Sequence, residues 1–534
     1  MRSAECWEQG EGSRKQEAEA DRRDRRADGS AVKSTGGKPG RRYTGTPTVV
    51  AALLSQLCLI PLSGLGLPQP AAAQEGGRYV EVTDPLVREK LSGWQDLKLG
   101  LLMHWGPYSQ WGIVESWSLC SEDEPWCRRS MDEYDEYKRA YENLQTTFNP
   151  TQFDPQRWAE AARAAGMKYV VFTTKHHDGF TMFDTRHTDY KITDPATPFH
   201  SDPRADVTRE IFDAFRARGF WTGAYFSKPD WHSPYYWWPY FATPDRNPNY
   251  DIEKYPDRWE KFVEFTHGQI DELMSHYGRV DILWLDGGWV RPVSQQEIRD
   301  RINDPDYKFI RIQSQDIDMP RLVANARAKQ PGLIVVDRAV PGPYQNYLTP
   351  EARIPEGAIL HPWEVPMPMA TSWSYVPNDR YKSARALVHM LADVVSKGGN
   401  LLLNIGPGPD GTWHEAAYDR LQALGKWMDV NGAAIYETRP IEPYSEGKIR
   451  LTRGKDGSVY AIYLPEEGET RLPAYLSLTQ LQPAEGATVS LLGAAGQLTW
   501  EAAGTGFVAA LPASMRANPP SDHAWSFRIS AVRR

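Results

Sequence analysis

The chain has 534 residues, too many for one ordinary domain and enough for a large catalytic domain with a smaller partner. Its 41% hydrophobic and 24% charged residues suit a globular protein with a sizeable core, and a formal net charge of -8 argues against nucleic acid as the main partner. The 20 Trp and 26 Tyr are either core filler or flat faces for the C–H faces of sugars, and composition alone does not choose between these.

In chain order, residues 1–46 are rich in Arg, Lys, Glu, Asp and Gly without apolar periodicity, and read as a disordered segment. Residues 47–73 have the order of a secretory signal peptide. Arg41-Arg42 stands ahead of an apolar run from Val49 to Leu67, and Ala71-Ala72-Ala73 follows, with cleavage expected before Gln74. Such a signal normally opens a chain, so the charged segment reads as an over-extended gene start, with Val32 as an alternative initiator. An uncleaved membrane anchor is the competing reading of the same run. The expected location is secreted or periplasmic, with no stable membrane insertion after signal cleavage. Of the 4 Cys, only Cys120 and Cys127 follow that point, in SLCSEDEPWCRR. Export allows them to pair, two free thiols fit equally well, and no zinc-type spacing exists.

From Leu97 onward, strand-like and helix-like segments alternate. LKLGLLMHWG reads as a buried strand. Asp154-Pro155 then opens a helix as N-cap and first position, with Trp158, Ala161, Ala162 and Ala165 on one stripe and Gly166 as its stop. MKYVVFTTKHH follows as a strand. Helices over Thr208–Arg218, Arg258–Tyr277, Arg321–Gln330 and Tyr381–Ser396 lead in turn to FWTGAYFS, VDILWLDGG, LIVVDRA and NLLLNIGP. Continuous apolar strands between helices imply a parallel sheet covered on both faces. No strand is followed by a G-x-G-x-x-G turn, so the expectation is a (β/α)8 TIM-like barrel over residues 79–436 rather than a dinucleotide-binding sheet. Short alternating strands such as GSVYAIYLP, ATVSLLG and HAWSFRIS predict a C-terminal β-sandwich over residues 437–534.

Polar residues gather where the strands end. His104, His176, His177, Tyr225, Asp286, Arg338 and Asn404 close six different strands, and in a barrel those ends converge on one face. Asp286, in DILWLDGGW, is either a nucleophilic carboxylate beside two permissive glycines or a turn cap. A retaining glycosidase needs a second carboxyl group, and Glu351 in YLTPEAR, Glu356 in IPEGA and Glu364 in HPWEVP are loop candidates that sequence does not rank. Arg338 is either an ion-pair partner of Asp337 or a group that holds the catalytic carboxylate. His104, His176, His177 and Asp178 raise the question of a metal. Adjacent histidines at a strand end are expected to point apart, which suits sugar hydroxyls better than one metal centre.

The stretches LLMHWGPYS, FNPTQFDPQRWAEAARAAGMKYVVFTTKHHDGF, DILWLDGGW and VVSKGGNLLLNIGPGPDGT resemble glycoside hydrolase family 29, the α-L-fucosidases, from Tyr79 to the C-terminus. The resemblance implies a (β/α)8-like barrel with a β-sandwich, Asp286 as nucleophile, and His104, His176, His177, Tyr225 and Arg338 around a fucose. It makes Glu351 the acid/base and Glu364 the reserve. Glu115 and Trp117 would line the pocket, although many members carry Glu and Trp adjacent where this chain has Glu115-Ser116-Trp117. Trp289 or Trp231 would face the sugar's methyl group. The implied substrate is a fucosylated oligosaccharide or glycoconjugate, and no cofactor or metal is needed. A sugar-binding protein on the same scaffold is the competing class, and tolerance of L-galactose stays open.

Overall fold

The computed structural model describes residues 79–533 apart from 121–126, 128, 244 and 305–311. The charged segment 1–46, the leader 47–73 and its cleavage point lie outside the described residues. Cys120 and Cys127 are both buried thiols. Among the described residues no helix is long and apolar enough to cross a membrane.

Seven parallel strands form one sheet: β1 (Leu99–Met103), β2 (Tyr169–Lys175), β3 (Trp221–Ser227), β4 (Ile282–Asp286), β5 (Ile334–Asp337), β6 (Glu364–Pro368) and β7 (Asn400–Ile405). Their order across the sheet is β5-β4-β3-β2-β1-β7-β6. Apart from Trp221 every residue in them is buried, as continuous apolar strands covered on both faces must be. Helices fall between the strands at the expected places, and several are opened by a capping side chain. Asp154 accepts from the Arg157 N–H at 2.9 Å ahead of the helix Pro155–Ala164. The helices Val207–Arg216, Met319–Lys329 and Ala384–Ser396 are capped in the same way by Asp206, Asp318 and Ser383.

The helices Pro85–Leu97, Tyr134–Glu142, Gln295–Ile302 and Glu415–Asn431 and the strand β6 are among the elements not in the sequence reading. The strand reads EVPMP, and two prolines normally argue against a strand. Here β6 is the last strand in the order and pairs only with β7, so a proline N–H is missed least. This corrects the placement of Glu364, which is not a loop residue but the first residue of β6, and fully buried.

Glu364 also reports the shape of the sheet. Its carboxylate accepts from the Tyr169 hydroxyl of β2 at 2.6 Å and from the Trp284 indole of β4 at 3.2 Å, across the concave face. The sheet is therefore curled. The segment joining its outer strands bridges Gln345 to Val336 and Leu348 to Trp363.

Beyond the helix Glu415–Asn431 the chain forms two antiparallel sheets. One contains β8 (Thr438–Glu446), β9 (Ile449–Gly454), β10 (Val459–Tyr463), β12 (Val489–Leu491) and β15 (Trp525–Ile529); the other contains β11 (Tyr475–Leu478), β13 (Trp500–Ala503) and β14 (Gly506–Ala510). Leu451, Val459 and Phe527 from the first share one apolar core with Leu476, Leu478 and Phe507 from the second. This pair adjoins the helices before it: Arg450 reaches Asp393 at 2.5 Å, and the Trp427 indole donates to the Ala524 carbonyl at 2.9 Å.

The curl leaves little room on the concave face. A Cβ at Gly100 of β1 would stand 2.3 Å from the Tyr169 ring. Gly100→Ala is therefore expected to destabilise the fold by about 1–3 kcal/mol through overpacking. Chemical denaturation monitored by tryptophan emission checks this, and an unchanged midpoint would contradict the packing described.

Candidate active site

Asp286 ends β4, and alternation along the strand puts it on the same concave face as Trp284. Tyr225 of β3 pairs in register with Trp284, so its ring lies on that face too. The Tyr225 hydroxyl donates to Asp286 Oδ2 at 2.6 Å. Arg338, one residue past β5, donates from Nη1 to Asp286 Oδ1 at 2.8 Å, and the Gly287 N–H donates to the same oxygen at 2.8 Å. Burial alone would raise the pKa of Asp286. The Arg338 guanidinium, with His177 and the Tyr225 hydroxyl, outweighs burial and holds the carboxyl well below the usual range.

Arg338 also reaches Glu351 through Nη2, so one guanidinium joins the two carboxylates. Of the two partners considered for Arg338, the contact is with Asp286. Asp337 pairs instead with Lys228, whose Nζ lies 2.5 Å from its carboxylate in a fully buried ion pair. The Lys228 N–H donates to the Asp286 carbonyl at 3.0 Å, which clasps β3, β4 and β5 beneath the site. Lys228 is absent from the sequence reading because a lysine just past a strand carries no local sign of burial. Glu356 is exposed, and Glu364 lies among Tyr169, Trp284 and Tyr347 rather than with the acid/base candidates.

Three histidines form the adjacent wall. His104 Nδ1 lies 2.9 Å from Asn404 Oδ1, and His176 Nδ1 lies 2.5 Å from Ser116 Oγ. The expectation that His176 and His177 point apart is wrong, since their ring centroids are only 4.2 Å apart. Strand β2 ends at Lys175, so neither histidine is bound by strand alternation. His177 Nε2 lies 3.8 Å from Asp286 Oδ2. Among the described residues no three His, Cys, Asp or Glu side chains are grouped to hold a metal ion.

Glu115 and Trp117 lie beside these residues, with Ser116 between them. Glu115 has a positive φ of +29°, and Ser116 turns inward to His176. The Glu115 carboxylate is buried and accepts from the Ser374 N–H at 3.0 Å. Burial pushes its pKa up to about 8; the Ser374 bond opposes this, and the charges of Glu351 and Asp286 reinforce it. Trp117, Trp231 and Trp289 surround His177 with ring centroids 5.1–5.3 Å away. Trp231 is fully buried and backs the wall, while Trp117 and Trp289 keep part of their surface. Arg246, also missed from sequence, stacks 4.8 Å from the Trp117 ring and 5.1 Å from the Trp289 ring.

Carboxylates joined through one guanidinium, with indole rings beside them, suit the cleavage of a glycosidic bond, and the comparisons with known proteins agree: the chain is a glycoside hydrolase. The α-L-fucosidase family model matches residues 67–433. An α-L-fucosidase of Branchiostoma floridae is 28% identical, with 85% of this chain and 96% of that protein aligned. The tissue α-L-fucosidase of Bos taurus is also 28% identical, over 90% of this chain and 98% of that protein. Among solved structures, α-L-fucosidase isoenzyme 1 from Paenibacillus thiaminolyticus superposes with a TM-score of 0.66 at 27% identity, covering 84% of this chain and 100% of that one. The chain belongs to the α-L-fucosidase family, and its activity is that of an α-L-fucosidase.

The site also sets how stability varies with pH. Burial lowers the pKa of His104 from 6.5 to about 4 and that of His177 to about 3. An unfolded histidine takes a proton below about 6.5, whereas these stay neutral in the fold until near those lower values. Their stabilisation is thus full above pH 6.5 and is lost as pH falls through 6.5 towards 4 and then 3. For His104 this is worth roughly 3 kcal/mol. Glu115 has the opposite sign, its contribution being lost progressively as pH rises from about 4.5 through about 8. Thermal unfolding from pH 4 to 9 is expected to show a maximum near neutrality, with a shallower acid limb in His104→Gln. An acid limb identical in that variant would show that His104 does not set it.

Proposed function

We propose that the protein is an exo-acting, retaining α-L-fucosidase that releases terminal α-L-fucose from fucosylated oligosaccharides or glycoconjugates, with its site at the mouth of a (β/α)8-like barrel. The observation that carries this reading is the Asp286–Arg338–Glu351 bridge. Carboxyl groups on the two terminal nitrogens of one guanidinium are separated on the order of the 5–5.5 Å that double displacement requires.

Asp286 Oδ attacks the anomeric carbon as the bond from that carbon to the glycosidic oxygen breaks, and Glu351, entering the step as the protonated acid rather than as the carboxylate paired with Arg338, gives its proton to the departing oxygen. The product of this step is a fucosyl ester of Asp286. Glu351, now a carboxylate, takes a proton from water as the water oxygen attacks the same carbon and Asp286 leaves. Two inversions retain the configuration, and the steps require no cofactor. Tyr225 and Arg338 hold the attacking carboxylate. His104, His176, His177 and Glu115 meet the sugar hydroxyls, while Trp117 and Trp289 offer apolar faces to its methyl group. The α-fucosidase of Thermotoga maritima, 27% identical over 85% of this chain with a TM-score of 0.63, has been solved with fucose, which supports the choice of sugar. The leader-like order of residues 47–73 supports export, so the mature chain is assigned to the secreted or periplasmic space.

The test is turnover of nitrophenyl α-L-fucoside with the product anomer followed by NMR. The parent should first release the α anomer. Asp286→Gly should lose roughly 10³-fold or more in kcat, while a sugar-binding protein would show no turnover to lose. Glu351→Gln should lose about 10²–10⁴-fold on natural fucosides and much less on substrates with an acidic leaving group. Release of the β anomer first would replace the two-step mechanism with single inversion. Full activity of Glu351→Gln on fucosyl oligosaccharides would move the acid role to Glu115, whose raised pKa keeps it protonated at neutral pH.

A further inference from the structure

The lower end of the concave face carries a second polar cluster that the reaction does not use. Glu364 is fully buried there. Its Oε2 accepts from the Tyr169 hydroxyl at 2.6 Å, and its Oε1 accepts from the Tyr347 hydroxyl at 3.1 Å and the Trp284 indole at 3.2 Å. The donors come from β2, from β4 and from the segment between β5 and β6. Trp94 closes the cluster from outside, stacked on Tyr347 with centroids 4.0 Å apart. Burial pushes the Glu364 carboxyl up to about 7 even with three donors. A side chain needed only to fill this space would do so at less cost without a charge.

Trp284 connects this cluster to the chemistry. Its N–H is held by Glu364 below, and its ring stacks on Tyr225 above, with centroids 5.2 Å apart and planes 19° apart. The Arg338 guanidinium lies 5.7 Å from the same ring. Tyr225 and Arg338 are the two side chains that grip Asp286, at 2.6 and 2.8 Å. A flat ring touching both can turn only by displacing them, and the bond to Glu364 fixes how far it turns.

We propose that Glu364 is a positioning residue for the nucleophile: by anchoring Trp284 it fixes where Tyr225 and Arg338 hold Asp286. This rests on the reading of Asp286 as nucleophile given above. Glu364 touches no substrate, so its removal should act on the chemical step more than on sugar binding.

The experiment compares the full chain with Glu364→Leu, Glu364→Gln, Trp284→Phe and the double variant Glu364→Leu/Trp284→Phe. On nitrophenyl α-L-fucoside, Glu364→Leu and Trp284→Phe should each lower kcat roughly 10- to 100-fold with little change in KM. Glu364→Gln, whose amide oxygen still accepts from the indole, should recover most of that loss. The double variant should be no worse than the weaker single one, because both remove the same contact. A readout without turnover is the affinity of an L-fuco-configured iminosugar, whose ammonium pairs with Asp286, compared with fucose itself. The iminosugar should weaken roughly tenfold more than fucose does. Parent-like kcat per folded molecule in Glu364→Leu, with only a lower melting temperature, would overturn the proposal, as would multiplicative losses in the double variant. If Glu364→Leu does not fold, Trp284→Phe decides, since it leaves the carboxylate with both tyrosines; parent-like kcat and iminosugar affinity there would overturn it. A parent that neither turns over the fucoside nor binds fucose would remove the fucosidase reading, and this proposal with it, before any variant is compared.

Discussion

The ionised carboxylate of Asp286 is the constraint around which the site is arranged. A buried carboxyl with no compensation would take up a proton and lose the charge that the proposed nucleophilic role requires. Compensation must come from both sides of β4, because each oxygen needs its own donor. The strand order β5-β4-β3 supplies this, with Arg338 just past β5 on one side and Tyr225 from β3 on the other. The Lys228–Asp337 pair then joins the same two neighbours beneath the site. A slip of one residue between these strands would turn Trp284 and Asp286 to the outer face and dismantle the whole set.

The backbone around the carboxylates is held in costly conformations. Glu115, Ala339 and Ala352 all have positive φ, at +29°, +58° and +48°, and each is, or directly follows, a residue of the site. Gly287 has φ +87°, and a Cβ there would stand 2.4 Å from Pro229, so only glycine lets the chain turn directly after Asp286. Such strain persists where surrounding contacts over-determine it, as the Ser374 bonds to Glu115 and the Arg338 contact to Glu351 do here.

Much of this was legible in the sequence, for identifiable reasons. Six parallel strands announced themselves as apolar runs, and the polar residues closing them marked the face where Asp286, Arg338 and the histidines meet. The C-terminal strands were visible from their alternation. What stayed hidden depends on pairings between distant segments. Strand β6 was masked by Pro366 and Pro368, and only its place at the end of the strand order makes them tolerable. Glu364 looked like a loop carboxylate because its partners Tyr169 and Trp284 are 195 and 80 residues away. The divergence of His176 and His177 was inferred by extending strand alternation past the point where β2 ends. Arg246 lies in a long loop, where nothing local indicates that it stacks on two indoles.

Asp286 and Glu364 together show what decides the charge of a buried carboxyl group. Each accepts three hydrogen bonds on the same concave face, and each is removed from water. Their pKa values nevertheless move in opposite directions, Asp286 down and Glu364 up to about 7. The donors differ in one respect: Asp286 has a guanidinium among them, and Glu364 has only two phenols and an indole. Neutral donors lessen the cost of desolvation without cancelling it, whereas a cation in contact reverses its sign. The upper carboxylate can therefore carry a permanent negative charge towards a sugar. The lower one has neutral donors only, and what those donors fix is its position.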